Sequence, residues 1–119
     1  MFNKEEKNHN ESDTIIGQSV KVKGDFKGDG NVFIEGEFEG TLSTSGNIFF
    51  GEKSKITAQV TGKNGKILGS VNGDINLSDY LELGKNSVIN GNIEVSSLSV
   101  EQGSIINGQV SIKSSSIQN

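Results

Sequence analysis

The chain contains no cysteine, no proline, no tryptophan and no arginine, and it carries a single alanine and a single histidine. Without cysteine there is no disulfide framework, thiol nucleophile or thiolate metal site. Beyond compatibility with the cytoplasm, the compartment stays open. Fifteen acidic residues against eleven lysines, a formal charge of −4, leave no basic footprint for nucleic acid, and no cluster of lysines stands out. No apolar run approaches the length of a membrane span. The opening stretch, MFNKEEKNHNESD, lacks the apolar segment of a secretory signal. The one histidine, His9, sits in that polar stretch and reads as solvated, so no imidazole is at hand to activate any of the chain's many serines.

What the chain does have is strand-forming residues. Valine, isoleucine, leucine and phenylalanine make up 34 of 119 residues, and 28 of the 34 are β-branched or aromatic. The length suits one modest domain, and the composition predicts strands.

Those residues recur in a fixed frame: apolar, polar, small, polar, apolar. It appears as VKGDF from Val22, FEGTL from Phe38, ITAQV from Ile56, VNGDI from Val71, INGNI from Ile89 and INGQV from Ile106. The starts are 16, 18, 15, 18 and 17 residues apart. A second frame, two apolar residues spaced by two with glycine behind them, is anchored at Ile34, Phe50, Ile67, Leu83 and Val100, with spacings of 16, 17, 16 and 17. Apolar spacings of two and four mark strands, and no window sustains the three-and-four spacing of a helix.

Two architectures fit such units. Asn72-Gly73, Asn90-Gly91 and Asn107-Gly108 are strong hairpin signals. The equivalent pair Thr57-Ala58 is a poor turn of that type, because both central residues would need positive φ. The alternative is a parallel β-solenoid whose coils stack equivalent positions about 4.8 Å apart, where like charges should be avoided. The columns Lys23-Glu39-Thr57-Asn72-Asn90-Asn107, Lys21-Glu37-Lys55-Ser70-Val88-Ile105 and Asp25-Thr41-Gln59-Asp74-Asn92-Gln109 contain no like-charged neighbours. The three stacked asparagines predict an amide ladder. The expected fold is therefore all-β: a single-stranded parallel β-helix of about six coils. Burying one coil's few apolar side chains cannot offset the entropy of ordering that coil, so each needs neighbours of the same shape. The small residue of each frame is expected where the cross-section narrows or the chain bends.

The V-x-G-x-I frame, TIIG from Thr14, LGSVNGDINL from Leu68, YLELG from Tyr80 and LSVEQGSIINGQV from Leu98 together resemble the bactofilins, over Thr14 to about Lys113. The resemblance implies a right-handed, roughly triangular β-helix at 14–113, flanked by disordered tails at 1–13 and 114–119. It implies a bacterial cytoskeletal protein that polymerises without nucleotide, end to end, into filaments and sheets lacking polarity, often under the cytoplasmic membrane. There such proteins organise cell-wall synthesis or hydrolysis proteins and influence cell shape. Members often open with Met-Phe-x-Lys, a membrane-targeting segment that Met1, Phe2 and Lys4 match. The proline-rich tails of many members have no counterpart, since this chain has no proline. Where the last coil of the family often places a phenylalanine at its end contact, Ile106 stands here.

Residue chemistry leads to self-association independently. A solenoid's terminal coils expose unpaired strand edges, which proteins usually blunt with a cap, a proline or an inward charge. Neither end shows such a device, and both are as apolar as the middle. Ile15, Ile16, Val22 and Phe26 in the first coil, and Ile105, Ile106, Val110 and Ile112 in the last, are the expected contacts.

Other functions fit less well. Left-handed β-helix transferases use a histidine and a strict hexapeptide period; here the one histidine, His9, lies in the polar opening stretch, and no sustained run of apolar residues six apart occurs. A β-solenoid binding module that does not polymerise is the remaining alternative; an exported adhesin would need a signal segment, and an ice binder a regular threonine array. Asp25, Asp29 and Asn31 lack the spacing of a calcium loop and read as turn residues. Asn10-Glu11-Ser12 and Asn76-Leu77-Ser78 match a glycosylation sequon, which matters only on secretion. No catalytic residue, cofactor, nucleotide or metal is expected.

Overall fold

The computed structural model describes residues 13–113, which form an all-β solenoid of six coils. Each of the first three coils carries a short strand and a long one: β1 (Thr14–Ile16) and β2 (Lys21–Gly28), β3 (Val32–Ile34) and β4 (Glu37–Thr44), β5 (Ile48–Phe50) and β6 (Lys55–Gly62). In the last three coils the long strand is divided in two. These coils hold β7 (Gly65–Ile67), β8 (Ser70–Asn72) and β9 (Ile75–Leu77), then β10 (Tyr80–Leu83), β11 (Val88–Asn90) and β12 (Ile93–Val95), then β13 (Ser97–Val100), β14 (Ile105–Asn107) and β15 (Val110–Ile112).

Every pairing between coils is parallel. The short strands build one six-stranded sheet, β1-β3-β5-β7-β10-β13. The long strands and their divided counterparts build the rest, β8-β11-β14 continuing one half of β6 and β9-β12-β15 the other. The solenoid is therefore three-sided. Hairpins at the Asn-Gly pairs are absent among the described residues: Asn72 lies beside Asn90, and Asn90 beside Asn107, one coil apart.

The bend between the two long sides falls on the small residue of the frame. Gly24, Gly40, Gly73, Gly91 and Gly108 take φ between 136° and 153°, open to glycine and strained for any other residue. Crowding adds a second constraint. A Cβ on Gly73 would fall on the carbonyl oxygen of Ala58 one coil back. Ala58 itself turns the corner without positive φ and buries its methyl.

The uneven period has a structural cause. Sheet and long strand are joined by two residues at Glu35-Gly36 and Leu68-Gly69, but by four-residue turns at Gly17–Val20, Gly51–Ser54, Gly84–Ser87 and Glu101–Ser104. In each turn the last residue's N–H donates to the first residue's carbonyl, at 3.1–3.2 Å. Ser19, Asn86 and Gly103 hold the left-handed third position, as a type II turn requires. Most of the slip is absorbed at this one corner, so stacking elsewhere stays in register.

Inside, equivalent residues form continuous apolar columns, such as Ile16-Ile34-Phe50-Ile67-Leu83-Val100 and Val22-Phe38-Ile56-Val71-Ile89-Ile106. Outside, the polar columns stack as their charges require. Lys23 lies 3.9 Å from Glu39, a solvated pair worth little stability by itself. Asn107 Nδ2 donates to Asn90 Oδ1 at 2.8 Å, one rung of the amide ladder. Thr41 Oγ1 donates to Asp25 Oδ1 at 2.6 Å, and the backbone N–H of Asn92 to Asp74 Oδ1 at 3.0 Å.

Candidate functional site

A solenoid this regular places its unusual chemistry at the ends, where each column stops. Among the described residues, β1 at the N-terminal end pairs only with β3, and β2 only with β4, so one backbone edge of each has no partner there. At the other end β13, β14 and β15 are bonded on one side only, to β10, β11 and β12. No helix or proline covers either edge among the described residues.

Among the described residues the inward columns stop at both ends, with Ile16 buried and Val22 and Phe26 partly buried at the first. At the N-terminal end Ile16, Val22 and Phe26 roof an apolar cavity of about 220 Å³, with Val32, Phe38 and Leu42 beneath them. At the C-terminal end Val100, Val110 and Ile112 are 49, 40 and 53% exposed. The residues one coil below them, Leu83, Ile93 and Val95, are at most 1% exposed. These side chains continue a buried column yet lie open to water, since no further coil stacks on them among the described residues. An unpaired parallel edge beside an apolar surface is suited to adding another strand layer.

Of the residues expected to associate, Ile16, Val22 and Phe26 gather at one end, and Ile106, Val110 and Ile112 at the other. Ile15 and Ile105 belong to the terminal coils but occupy outward positions on the flanks, 76 and 50% exposed. Leu98 and Val100 complete the C-terminal end and were not among the expected contacts. Their signal lay in LSVEQG, whose two apolar residues fall in the inward columns of Val32 and Ile34. Met1, Phe2, Lys4 and His9 lie outside the described residues, as do both tails except Asp13.

Among the described residues no group of three or more histidine, cysteine, aspartate or glutamate side chains could hold a metal ion. Around GDFKGDGN the polar groups are engaged in turn and coil contacts. Asp25 accepts from Thr41, the N–H of Asn31 donates to Asp13 Oδ1 at 3.0 Å, and Asn31 Oδ1 accepts from the N–H of Asn47 at 3.0 Å. No helix among the described residues is long and apolar enough to cross a membrane.

The bactofilin family profile, described as polymer-forming cytoskeletal, matches residues 14–111, nearly the whole solenoid. This chain belongs to the bactofilin family. It is similar to Bactofilin BacO of Myxococcus xanthus (strain DK1622), 27% identical over 92 residues, covering 77% of this chain and 73% of that protein. It is also similar to Bactofilin BacP of the same strain, 28% identical over 94 residues, covering 79% of this chain but only 39% of the relative. No solved structure is significantly similar to it. For a bactofilin, described as polymer-forming, the two open ends are the surfaces of interest.

Proposed function

We propose that this bactofilin is a cytoskeletal scaffold rather than an enzyme, built by end-to-end stacking of solenoids into filaments. The observation that carries this reading is that both ends leave strand edges unpaired and inward columns unfinished. Stacking satisfies both at once: backbone groups find ladder partners, and apolar side chains leave water. The junction consists of strand pairing and apolar contact, and neither calls on a nucleotide. Negative-stain electron microscopy of the purified full-length protein, with no nucleotide or metal added, is the test. Long smooth filaments are expected; dispersed particles across salt and protein concentration would overturn the reading in favour of a non-polymerising binding module.

Filaments of this kind are proposed to lie in the cytoplasm against the inner membrane, held by Met1, Phe2 and Lys4, and to position cell-wall or cell-shape proteins. Burying one phenylalanine yields only about 1.5–3 kcal/mol. Lys4 and Lys7 are offset by Glu5, Glu6, Glu11 and Asp13, so attraction to anionic lipid is weak. A monomer would not stay bound, but a filament presenting many copies does so through avidity. Deleting residues 1–7 is expected to release polymers from liposomes without dissolving them. Unchanged co-sedimentation with liposomes would remove the anchor from the proposal.

A further inference from the structure

Four asparagines in the chain are followed by glycine: Asn64-Gly65, Asn72-Gly73, Asn90-Gly91 and Asn107-Gly108. That pair has a chemistry of its own. A glycine N–H, unshielded by any side chain on its own residue, loses its proton and the nitrogen attacks Cγ of the asparagine before it. The new C–N bond closes a cyclic imide and expels the side-chain nitrogen as ammonia. Water then opens the imide at either carbonyl, giving aspartate or isoaspartate. Water is the only co-reactant, and nothing is oxidised or reduced. The reaction requires a glycine N–H without an acceptor, and a backbone free to turn the side chain onto it.

The fold withholds both conditions from three of the pairs. Gly65 is buried in β7, paired with β5 on one side and β10 on the other. The Asn64 amide is tied at both ends: Nδ2 donates to Asn47 Oδ1, and Oδ1 accepts from the N–H of Tyr80, each at 3.1 Å. The N–H of Gly73 donates to the carbonyl of Asn90, and that of Gly91 to the carbonyl of Asn107, both at 2.9 Å. Each of these corner glycines thus gives its N–H to the following coil. Gly108 has no following coil among the described residues, and its N–H has no acceptor among them. It is exposed where Gly73 and Gly91 are half-buried. Asn107 ends β14, which pairs with β11 alone, and its side chain is held by the single bond to Asn90 Oδ1.

We infer that Asn107-Gly108 is a site of spontaneous covalent modification, open while the C-terminal end is free and closed when another subunit stacks on it. Its reactivity is a property of the single subunit; its closure rests on the end-to-end reading above. The corner itself imposes the reactive pair. Gly108 turns it at φ 153°, and a Cβ there would fall on the carbonyl oxygen of Gly91. Asn107 supplies a rung of the amide ladder. Shielding is therefore left to the ladder bond that a stacked coil would offer the Gly108 N–H. The product changes the end. Isoaspartate carries the backbone through the side-chain carbon, which adds an atom between positions 107 and 108. β15 then loses its register with β12, and the end no longer matches a coil set upon it. Subunits and filament ends are marked by the time they have stood unstacked.

The test compares full-length wild type with Ile112→Lys. Ile112 is 53% exposed, so the lysine is tolerated in the subunit, but it sets an ammonium in the junction and leaves Asn107-Gly108 intact. Wild type held below its assembly concentration repeats the free state without a substitution. After incubation in mildly alkaline buffer, cleavage behind glutamate puts Asn90 and Asn107 on separate peptides. Mass spectrometry reads the amide-to-acid conversion, and an isoaspartate methyltransferase reads the isomer. In both free forms conversion at Asn107 should exceed that at Asn64, Asn72 and Asn90 about tenfold or more, and in wild-type filaments it should fall back by a similar factor. Conversion at Asn107 no faster than at the other three overturns the inference. Conversion as fast in filaments as in free subunits also overturns it, while the filaments themselves uphold the end-to-end reading. Wild type that forms no filaments overturns that reading and the shielding with it, and the site is then judged on the free subunit alone. Wild type aged below its assembly concentration and then concentrated should leave its isoaspartate-bearing fraction in the supernatant, whereas Asn107→Gln protein treated alike should assemble undiminished. Isoaspartate shared evenly between pellet and supernatant would overturn its effect on stacking.

Discussion

Replacing Ile106 with lysine is expected to abolish filaments while leaving strand content unchanged. Ile106 closes the column Val22-Phe38-Ile56-Val71-Ile89 and is only partly buried, because no coil follows it. In a free subunit a lysine stem covers the same apolar surface and its ammonium reaches water at the open end. In a stacked junction the ammonium is enclosed without a partner, which costs several kcal/mol. A loss of about 4 kcal/mol per junction is roughly a thousandfold in association. Phe26→Lys at the opposite end is expected to act the same way, since Phe26 packs against the core only partly buried and lines the open cavity. Circular dichroism reports the strand content and electron microscopy the filaments; filaments in both variants would sink the end-to-end reading. The size of the species left behind reports the symmetry. Junctions related by a two-fold axis would leave dimers joined through the unaltered end. A head-to-tail junction would leave monomers.

Gly73→Ala is expected to destabilise the solenoid itself by about 3–5 kcal/mol, at the upper end for a single substitution. Two costs combine. The backbone there holds φ at 143°, which an L-residue with a Cβ adopts only under strain of about 1–3 kcal/mol. The added methyl also falls on the carbonyl oxygen of Ala58, which is fixed by the neighbouring coil and cannot swing away as a side chain would. Gly24→Ala separates the two terms. Gly24 has nearly the same φ, 137°, but nothing lies within 4 Å of its added Cβ, since among the described residues its strand is paired on one side alone. Its cost should be the strain alone, so thermal or denaturant melts of Gly24→Ala should fall between those of wild type and Gly73→Ala. Equal losses at the two positions would show that crowding between coils contributes nothing.

Much of this was legible from residue spacing. The columns beginning at Lys23, Lys21 and Asp25 follow from stacking residues 15–18 apart, and each is realised in the backbone pairing or in side-chain bonds between coils. The bend at the small residue was legible too, because a glycine held at one phase of a repeat implies a backbone constraint there. The outward apolar column Ile15-Phe33-Phe49 of the short-strand sheet was not. Ile15, Phe33 and Phe49 each stand next to an inward apolar residue, in the pairs Ile15-Ile16, Phe33-Ile34 and Phe49-Phe50. Two adjacent apolar residues hide the alternation that tells inside from outside. Ile105-Ile106 conceals the C-terminal end in the same way.

The sequence by itself determined the strand content, the period and the parallel stacking. Each of these follows from local alternation, or from the requirement that every coil present the same surface to the next. Tertiary structure alone decided which residue of each apolar pair faces the core, and which corner takes most of the slack in the repeat. It also decided that three side chains from three coils meet on one flank. Such neighbours are a whole coil apart in the chain, so their contact depends on how many residues each corner absorbs. That number is settled only when the coils stack and their hydrogen bonds lock the register.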